Sequence, residues 1–233
     1  MNITKNNQIL AKGFCVNLVL GTNDAASRSK VKQFIFLSSV KAGFSPDDKM
    51  FVSENDLTHP EDEYGKSKRD AEDYLIDLSK KSAMNVKIIR STLVYGKGMK
   101  GNLALLKKYA NIRYLPHFPE FDNSKSIVHV DDVARALIFL ANEDDVSNEI
   151  FYLTDGNSYS TSEIFEKLRY EKHEKKHNFQ LPMILFKLLS LCGSNIKKKI
   201  KKLSSNELYS SEKIKKLGFE TKFNLEDIDE KII

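Results

Sequence analysis

Apolar positions recur along the chain with two different periods. Phe34-Ile35-Phe36-Leu37 is a short continuous apolar run, preceded by lysines and closed by Ser38-Ser39. That is the pattern of a strand buried on both faces of a parallel sheet. From Tyr64 to Lys81 the spacing changes: Ala71, Leu75 and Leu78 fall on one helical face, and acids and bases fill the other. Val86 to Tyr95 (VKIIRSTLVY) is strand-like again and ends at Gly96 and Gly98. Strand, helix and strand in this order predict a right-handed βαβ crossover. Asn102 to Tyr109 predicts another helix, Pro116 and Pro119 mark a loop, and Ser126 to Val130 predicts a short strand. Asp131 is placed to cap a helix running through Val133, Ala134, Leu137 and Leu140. Ile150 to Leu153 predicts a further strand, with a turn at Asp155-Gly156, and the remainder reads as mostly helical and lysine-rich.

These elements predict one α/β unit, with a parallel sheet in about residues 1–115 and a smaller, mostly helical part in about 116–233. The second part interleaves with the last sheet strands. The longest apolar stretch, Leu181 to Cys192, contains Lys187 and falls short of the roughly 20 residues that span a bilayer. It predicts a packed helix and no integral membrane segment. The N-terminal MNITKNNQILAKGF has no continuous apolar core of signal-peptide length. Cys15 and Cys192 are far apart and in no CxxC spacing. Together these features predict a cytoplasmic protein without a disulfide or metal framework. Much of the lysine behind the net charge of +5 sits in Lys197 to Lys202 (KKKIKK). With no aromatic residues between these lysines there is no stacking platform for nucleic acid, and a solvated helix face is expected. A patch attracted to anionic lipid is the sharper alternative.

Candidate chemistry enters with Ser38-Ser39 at a strand end and Tyr64-Gly65-Lys66-Ser67-Lys68 at a helix start. Tyr64 and Lys68, four apart, share a helix face, so an ammonium there can draw the phenol down from its ordinary pKa of about 10. Such a phenol can exchange a proton with a sugar hydroxyl or ketone near neutral pH. Ser39, one strand over, can hydrogen-bond the same oxygen. Taken singly, each residue is also explained by a capped helix with a surface charge.

The segments FIFLSSVKAG, DEYGKSKRDAEDYL and VKIIRSTLVYGKG together resemble the extended short-chain dehydrogenase/reductase family. Within it the likeness is to the nucleotide-sugar 4-epimerases and 4-ketoreductases of polysaccharide biosynthesis. It runs from about Asn17 to the C-terminus. The resemblance implies a partial, Rossmann-like NAD(P)-binding sheet that lacks the first βαβ units, with NAD or NADP as cofactor, a UDP-sugar as substrate, and a homodimer. It implies Ser39, Tyr64 and Lys68 as catalytic residues, with Ser38, Tyr64, Lys68 and Ser91 around the nicotinamide. It also implies substrate contacts from Ser39, Asn102, Leu103 and Lys125. In SKSIVHVDDVARAL, Lys125 stands where the family has an arginine that grips the substrate diphosphate. A lysine there offers a point charge in place of a bidentate fork. The chain also has Ser91-Thr92 where the family usually has Pro-Pro, and Lys97 where it has a proline.

No glycine-rich strand, turn and helix of the kind that holds a dinucleotide pyrophosphate precedes Asn17. The resemblance therefore implies an NAD(P)-dependent nucleotide-sugar epimerase or 4-ketoreductase, with a non-catalytic remnant or interaction module of the same fold as the alternative. Two literal motifs are set aside. Gly96-Lys-Gly98-Met-Lys-Gly101 follows the wrong strand for a dinucleotide fingerprint and is expected to form a substrate-side loop. His173-Glu-Lys-Lys-His177 lies in a segment too polar to wrap a zinc ion.

Overall fold

The computed structural model describes residues 31–43, 51–56, 59–112, 116–169, 180–184, 186, 188 and 193–227. Strand β1 (Gln33–Ser39) runs into a single 3-10 turn, Val40–Ala42, and helix α1 (Glu63–Lys81) follows. Strand β2 (Asn85–Ser91) then lies parallel to β1, with Phe34 opposite Val86 and Ser39 opposite Ser91. The expected single strand from Val86 to Tyr95 is broken at Thr92. The Thr92 N–H and hydroxyl both donate to the Leu153 carbonyl, at 3.2 and 3.1 Å. The chain leaves the sheet there, and β3 (Leu93–Tyr95) pairs instead with β4 (Ile127–His129) in a separate two-stranded parallel sheet. Helix α2 (Gly101–Ala110) lies between β3 and β4 in the chain, and α3 (Val130–Ala141) follows β4 directly. Strand β5 (Glu149–Leu153) pairs parallel to β2, giving a three-stranded sheet in the order β1-β2-β5. Helices α4 (Thr161–Arg169), α5 (Ser194–Ser204) and α6 (Glu212–Lys216) follow, with a 3-10 turn at Leu225–Asp227.

Strand alternation decides which side chains meet which helices. Val86 and Ile88 pack with Ala71 and Leu75 of α1, and Phe34, Phe36 and Ile150 join them from the neighbouring strands. Ile89, Phe151 and Leu153 point the other way, into a cluster with Val133, Ala136 and Leu140 of α3. Leu78, expected on the buried face of α1, is half-buried and packs against the cluster of Ala71, Leu75, Val86 and Ile88. In α3 the buried alanine is Ala136, whereas Ala134, expected on that face, is exposed. Asp131 is not the cap of α3 either. His129 is, with its ring nitrogen accepting from the Asp131 N–H at 3.3 Å, because the helix starts immediately at the end of β4. Strand β1 forms as expected but is not buried on both faces. Phe34 to Phe36 are half-buried and Leu37 is 39% exposed, since β1 pairs only with β2 among the described residues.

One charged group crosses the α1 layer. Arg90 of β2 donates to both carboxylate oxygens of Glu72 on α1, at 3.0 and 2.6 Å, and to the Tyr152 hydroxyl of β5 at 3.1 Å. Both Arg90 and Glu72 are buried. A planar fork on a carboxylate is the geometry that fixes orientation as well as charge, so this pair ties the helix carrying Tyr64 and Lys68 to the centre of the sheet.

Candidate active site

The first turn of α1 is held by two local devices. Asp62 caps the helix, its carboxylate accepting from the Gly65 N–H at 2.8 Å. Gly65 itself lies so close to the 3-10 turn that a Cβ there would sit 2.0 Å from the Lys41 carbonyl oxygen. Only a residue without a side chain permits that approach. The approach sets the beginning of α1, with Tyr64, against the turn that Ser39 initiates. Ser39 caps that turn, accepting from the Lys41 N–H at 3.3 Å. Tyr64 is 48% exposed. Lys68 donates its ammonium to the Leu37 carbonyl at 3.2 Å and lies 4.9 Å from the centre of the Phe36 ring, so its position is set by the end of β1. Ser91 donates to the Ser38 carbonyl at 3.2 Å, and the buried Ser38 hydroxyl has no partner among the described residues. Ser38, Ser39, Tyr64, Lys68 and Ser91 are therefore gathered at the carboxyl ends of β1 and β2. Parallel α/β sheets receive ligands at that edge.

Three of the four residues expected to meet substrate come from distant parts of the chain and line one cavity, whereas Ser39, like Tyr64 and Lys68, lines neither this cavity nor the cleft beside it. Asn102 and Leu103 of α2, Lys125, Phe118, and Lys199 and Lys202 of α5 face a space of about 240 Å³. Lys125 is buried, donates to the Ser205 carbonyl at 3.0 Å and lies 3.5 Å from the Glu207 carboxylate. Burial pushes its pKa down, and the Glu207 charge works against that shift. A second cleft of about 370 Å³, lined by Lys41, Asp62, Lys198, Lys201, Lys202 and Glu207, adjoins the first and shares Lys202 and Glu207 with it.

The lysines of α5 are all exposed, as expected of a solvated helix face, and some of them also line the two cavities. Ile196, Ile200 and Leu203 repeat at i, i+4 and i+7, Leu203 packs toward the core, and the intervening lysines fall to both sides of that stripe. The Lys202 ammonium reaches within 3.6 Å of Asp62, the cap of α1. Motif reading gave no role to Lys41 or Glu207. Glu207 enters the site because its backbone pairs with the segment around Lys125, 82 positions earlier in the chain, which no local periodicity signals.

The glycine loop after β3 has a structural basis. Gly96, Gly98 and Gly101 all take positive φ, and a Cβ on Gly96 would lie 2.8 Å from the His129 ring nitrogen. Gly101 opens α2 directly before Asn102, and no side chain caps that helix. The HExxH segment lies outside the described residues, among which no group of three or more His, Cys, Asp or Glu is placed to hold a metal. Among the same residues no helix is long and apolar enough to cross a membrane.

Comparison with known proteins places this architecture. The solved UDP-glucose 4-epimerase of Thermotoga maritima with UDP-glucose superimposes with a TM-score of 0.72 at 23% identity, covering 93% of this chain and 67% of that one. A UDP-glucose 4-epimerase of Thermus thermophilus in complex with NAD gives a TM-score of 0.64 at 18% identity, covering 88% and 64%. At such identities the likeness is one of fold. In sequence, the chain is 33% identical to a UDP-glucose 4-epimerase of Vibrio cholerae over 162 residues, 69% of this chain and 49% of that protein. The chain spans about half the length of that relative. The sequence model of the NAD dependent epimerase/dehydratase family matches residues 8–153, which include Ser39, Tyr64, Lys68, Asn102 and Lys125. With the fold, the strand-end cluster and this match in agreement, the chain belongs to the NAD dependent epimerase/dehydratase family.

Proposed function

We propose that this chain is the catalytic and substrate-binding part of an NAD(P)-dependent 4-epimerase acting on a UDP-sugar. The observation that carries the reading is the convergence of Asn102, Leu103 and Lys125 on one cavity that adjoins the cleft at Lys41 and Asp62, the cap of the helix that carries Tyr64. The first turn of α2 adds to it. That helix has ten residues and no side-chain cap, so its leading N–H groups suit an anion, and Lys125, Lys199 and Lys202 supply opposite charge. A diphosphate fits that chemistry. The sugar then extends toward the adjoining cleft, whose Lys41 and Asp62 belong to the turn that Ser39 caps and to the start of the helix that carries Tyr64.

Residues able to receive a nicotinamide are present at the strand ends. The Ser38 hydroxyl, buried without a partner among the described residues, is the kind of group that a bound amide or hydroxyl completes. Ser38, Tyr64, Lys68 and Ser91 are the residues that would hold the ring and its ribose, and the bound cofactor supplies the hydride exchange at the sugar carbon. The protein's own part is proton handling and position. Tyr64 takes the proton of the sugar C4 hydroxyl and returns it, Ser39 hydrogen-bonds the same oxygen, and the Lys68 ammonium favours the phenolate form. Lys68 reaches this place because the Leu37 carbonyl and the Phe36 ring hold it at the end of β1.

The test uses the purified chain with NAD or NADP and a panel of UDP-hexoses, following the epimer by proton NMR and UDP binding by calorimetry. Tyr64→Phe should abolish turnover and leave UDP affinity unchanged. Turnover that survives the substitution removes Tyr64 from the mechanism. UDP binding without turnover in the unaltered chain supports the non-catalytic alternative, and absence of UDP binding refutes the substrate assignment.

A further inference from the structure

We infer that Glu207 is a specificity-determining residue, an internal anion that holds Lys41 and Lys125 and competes with a substrate diphosphate for them. The inference rests on the nucleotide-sugar reading of the cavity and adds a control on its affinity. A single oxygen of the Glu207 carboxylate lies 3.2 Å from the Lys41 ammonium and 3.5 Å from that of Lys125. The carboxylate is 8% exposed and sits where the two cavities share a wall. Its backbone is pinned on both sides: the Glu207 N–H donates to the Ser124 carbonyl and its carbonyl accepts from the Ser126 N–H, each at 2.8 Å. The backbone of Glu207 is fixed by these bonds, so the carboxylate moves by rotating its own side chain.

Lys125 is the buried cation of the first cavity and Lys41 a cation of the second. One carboxylate therefore neutralises one lysine of each cavity. A phosphate entering the same place meets a lysine already paired and a negative charge beside it. Repulsion between like charges at contact in a partly buried site is large enough to change affinity by an order of magnitude or more. The Lys125–Ser205 hydrogen bond, at 3.0 Å, does not depend on Glu207 and keeps the ammonium at the cavity wall when the carboxylate is neutralised.

The experiment measures UDP binding to the chain by isothermal titration calorimetry at low ionic strength. Glu207→Gln preserves shape, and its amide oxygen can still accept from either ammonium. It should bind UDP at least tenfold more tightly than the unaltered chain, with a smaller gain at high salt. Uridine, which has no phosphate, should bind both forms equally. Adding Lys125→Met to Glu207→Gln should cancel the gain. Glu207→Ala should shift affinity in the same direction, so a folding defect in one variant, visible in a thermal melt, leaves the other to decide. Measurable UDP binding that is equal or weaker in both variants overturns the inference and leaves the nucleotide-sugar reading standing. A gain that appears equally with uridine, or that persists without Lys125, also overturns it. Absence of UDP binding in every form overturns the reading and the inference together.

Discussion

Glycine at position 65 sets two physical effects of opposite sign against each other, and the structure decides between them. Gly65 lies in the first turn of a 19-residue helix. By helix propensity alone, Gly65→Ala should stabilise the protein by about 0.5–1 kcal/mol. The new methyl would instead sit 2.0 Å from the Lys41 carbonyl oxygen, 2.9 Å from its carbon and 3.2 Å from Cβ of Pro60. Carbon to carbonyl oxygen contacts normally lie at about 3.3–3.6 Å, so helix and turn must part by roughly 1.3 Å. The obstacle is backbone, held by the Ser39 cap and by the 3.0 Å hydrogen bond from the Gly43 N–H to the Val40 carbonyl, and it cannot swing aside like a long side chain. Overpacking of this kind costs about 1–3 kcal/mol, which outweighs the propensity gain. Urea unfolding followed by circular dichroism should show a lower midpoint for Gly65→Ala at an unchanged slope. A variant as stable as the parent, or more so, would refute the argument that this glycine exists to bring α1 against the turn after Ser39. The same displacement would move Tyr64 relative to Ser39 by about 1 Å, a misplacement of the size that costs about 100-fold in rate where chemistry depends on both.

Two further predictions concern buried charge. Glu72→Ala leaves the Arg90 guanidinium buried with only Tyr152 as its remaining hydrogen-bond partner in this network, and should destabilise the chain by about 3–5 kcal/mol in urea unfolding. A loss below about 1 kcal/mol would show that the pair does not hold α1 to the sheet. Asp155, whose carboxylate accepts from the Asn157 N–H and the Tyr159 hydroxyl, has its pKa raised to about 6, chiefly by burial. Its folded value lies above the unfolded one of about 3.9, so the stability it contributes is complete below about pH 4 and is lost as pH rises through about 6. A difference of about two pKa units makes that loss about 3 kcal/mol. The difference in unfolding free energy between the parent and Asp155→Asn should change by this amount between pH 4 and pH 7, and a difference that stays flat across that window would contradict the assignment.

Local periodicity was enough to place β1, α1, β2 and β5, because each is a continuous run whose inward face is written in adjacent residues. It was enough to put Ser39 at a strand end and Tyr64 and Lys68 four apart on a helix, since both statements involve spacings of a turn or less. Burial of β1 was legible only as hydrophobicity. How much of it is covered depends on the strands beside it, and among the described residues it has one neighbour. The single strand expected from Val86 to Tyr95 failed at Thr92 for a tertiary reason. Its N–H and hydroxyl both go to the Leu153 carbonyl, an acceptor 61 residues away, and the chain turns out of the sheet to make a second one.

The candidate site divides along the same line. Side chains assigned by a motif or by the family resemblance could be named from the sequence, down to the position of Lys125. Their electrostatic surroundings were not, because charge acts through space. The lysine run of α5 is the solvated face its pattern predicts, but Leu203 packs that helix against the core and so lays Lys199 and Lys202 along the cavity. Glu207 carries no motif at all, and only the pairing of its strand with the segment at Lys125 brings one carboxylate oxygen within reach of two lysines. Sequence by itself determined which chemical groups the chain possesses and the local elements that carry them. Which of those groups share a cavity and neutralise one another was decided by the tertiary structure, since Coulomb and packing energies depend on distance in space and not on separation along the chain.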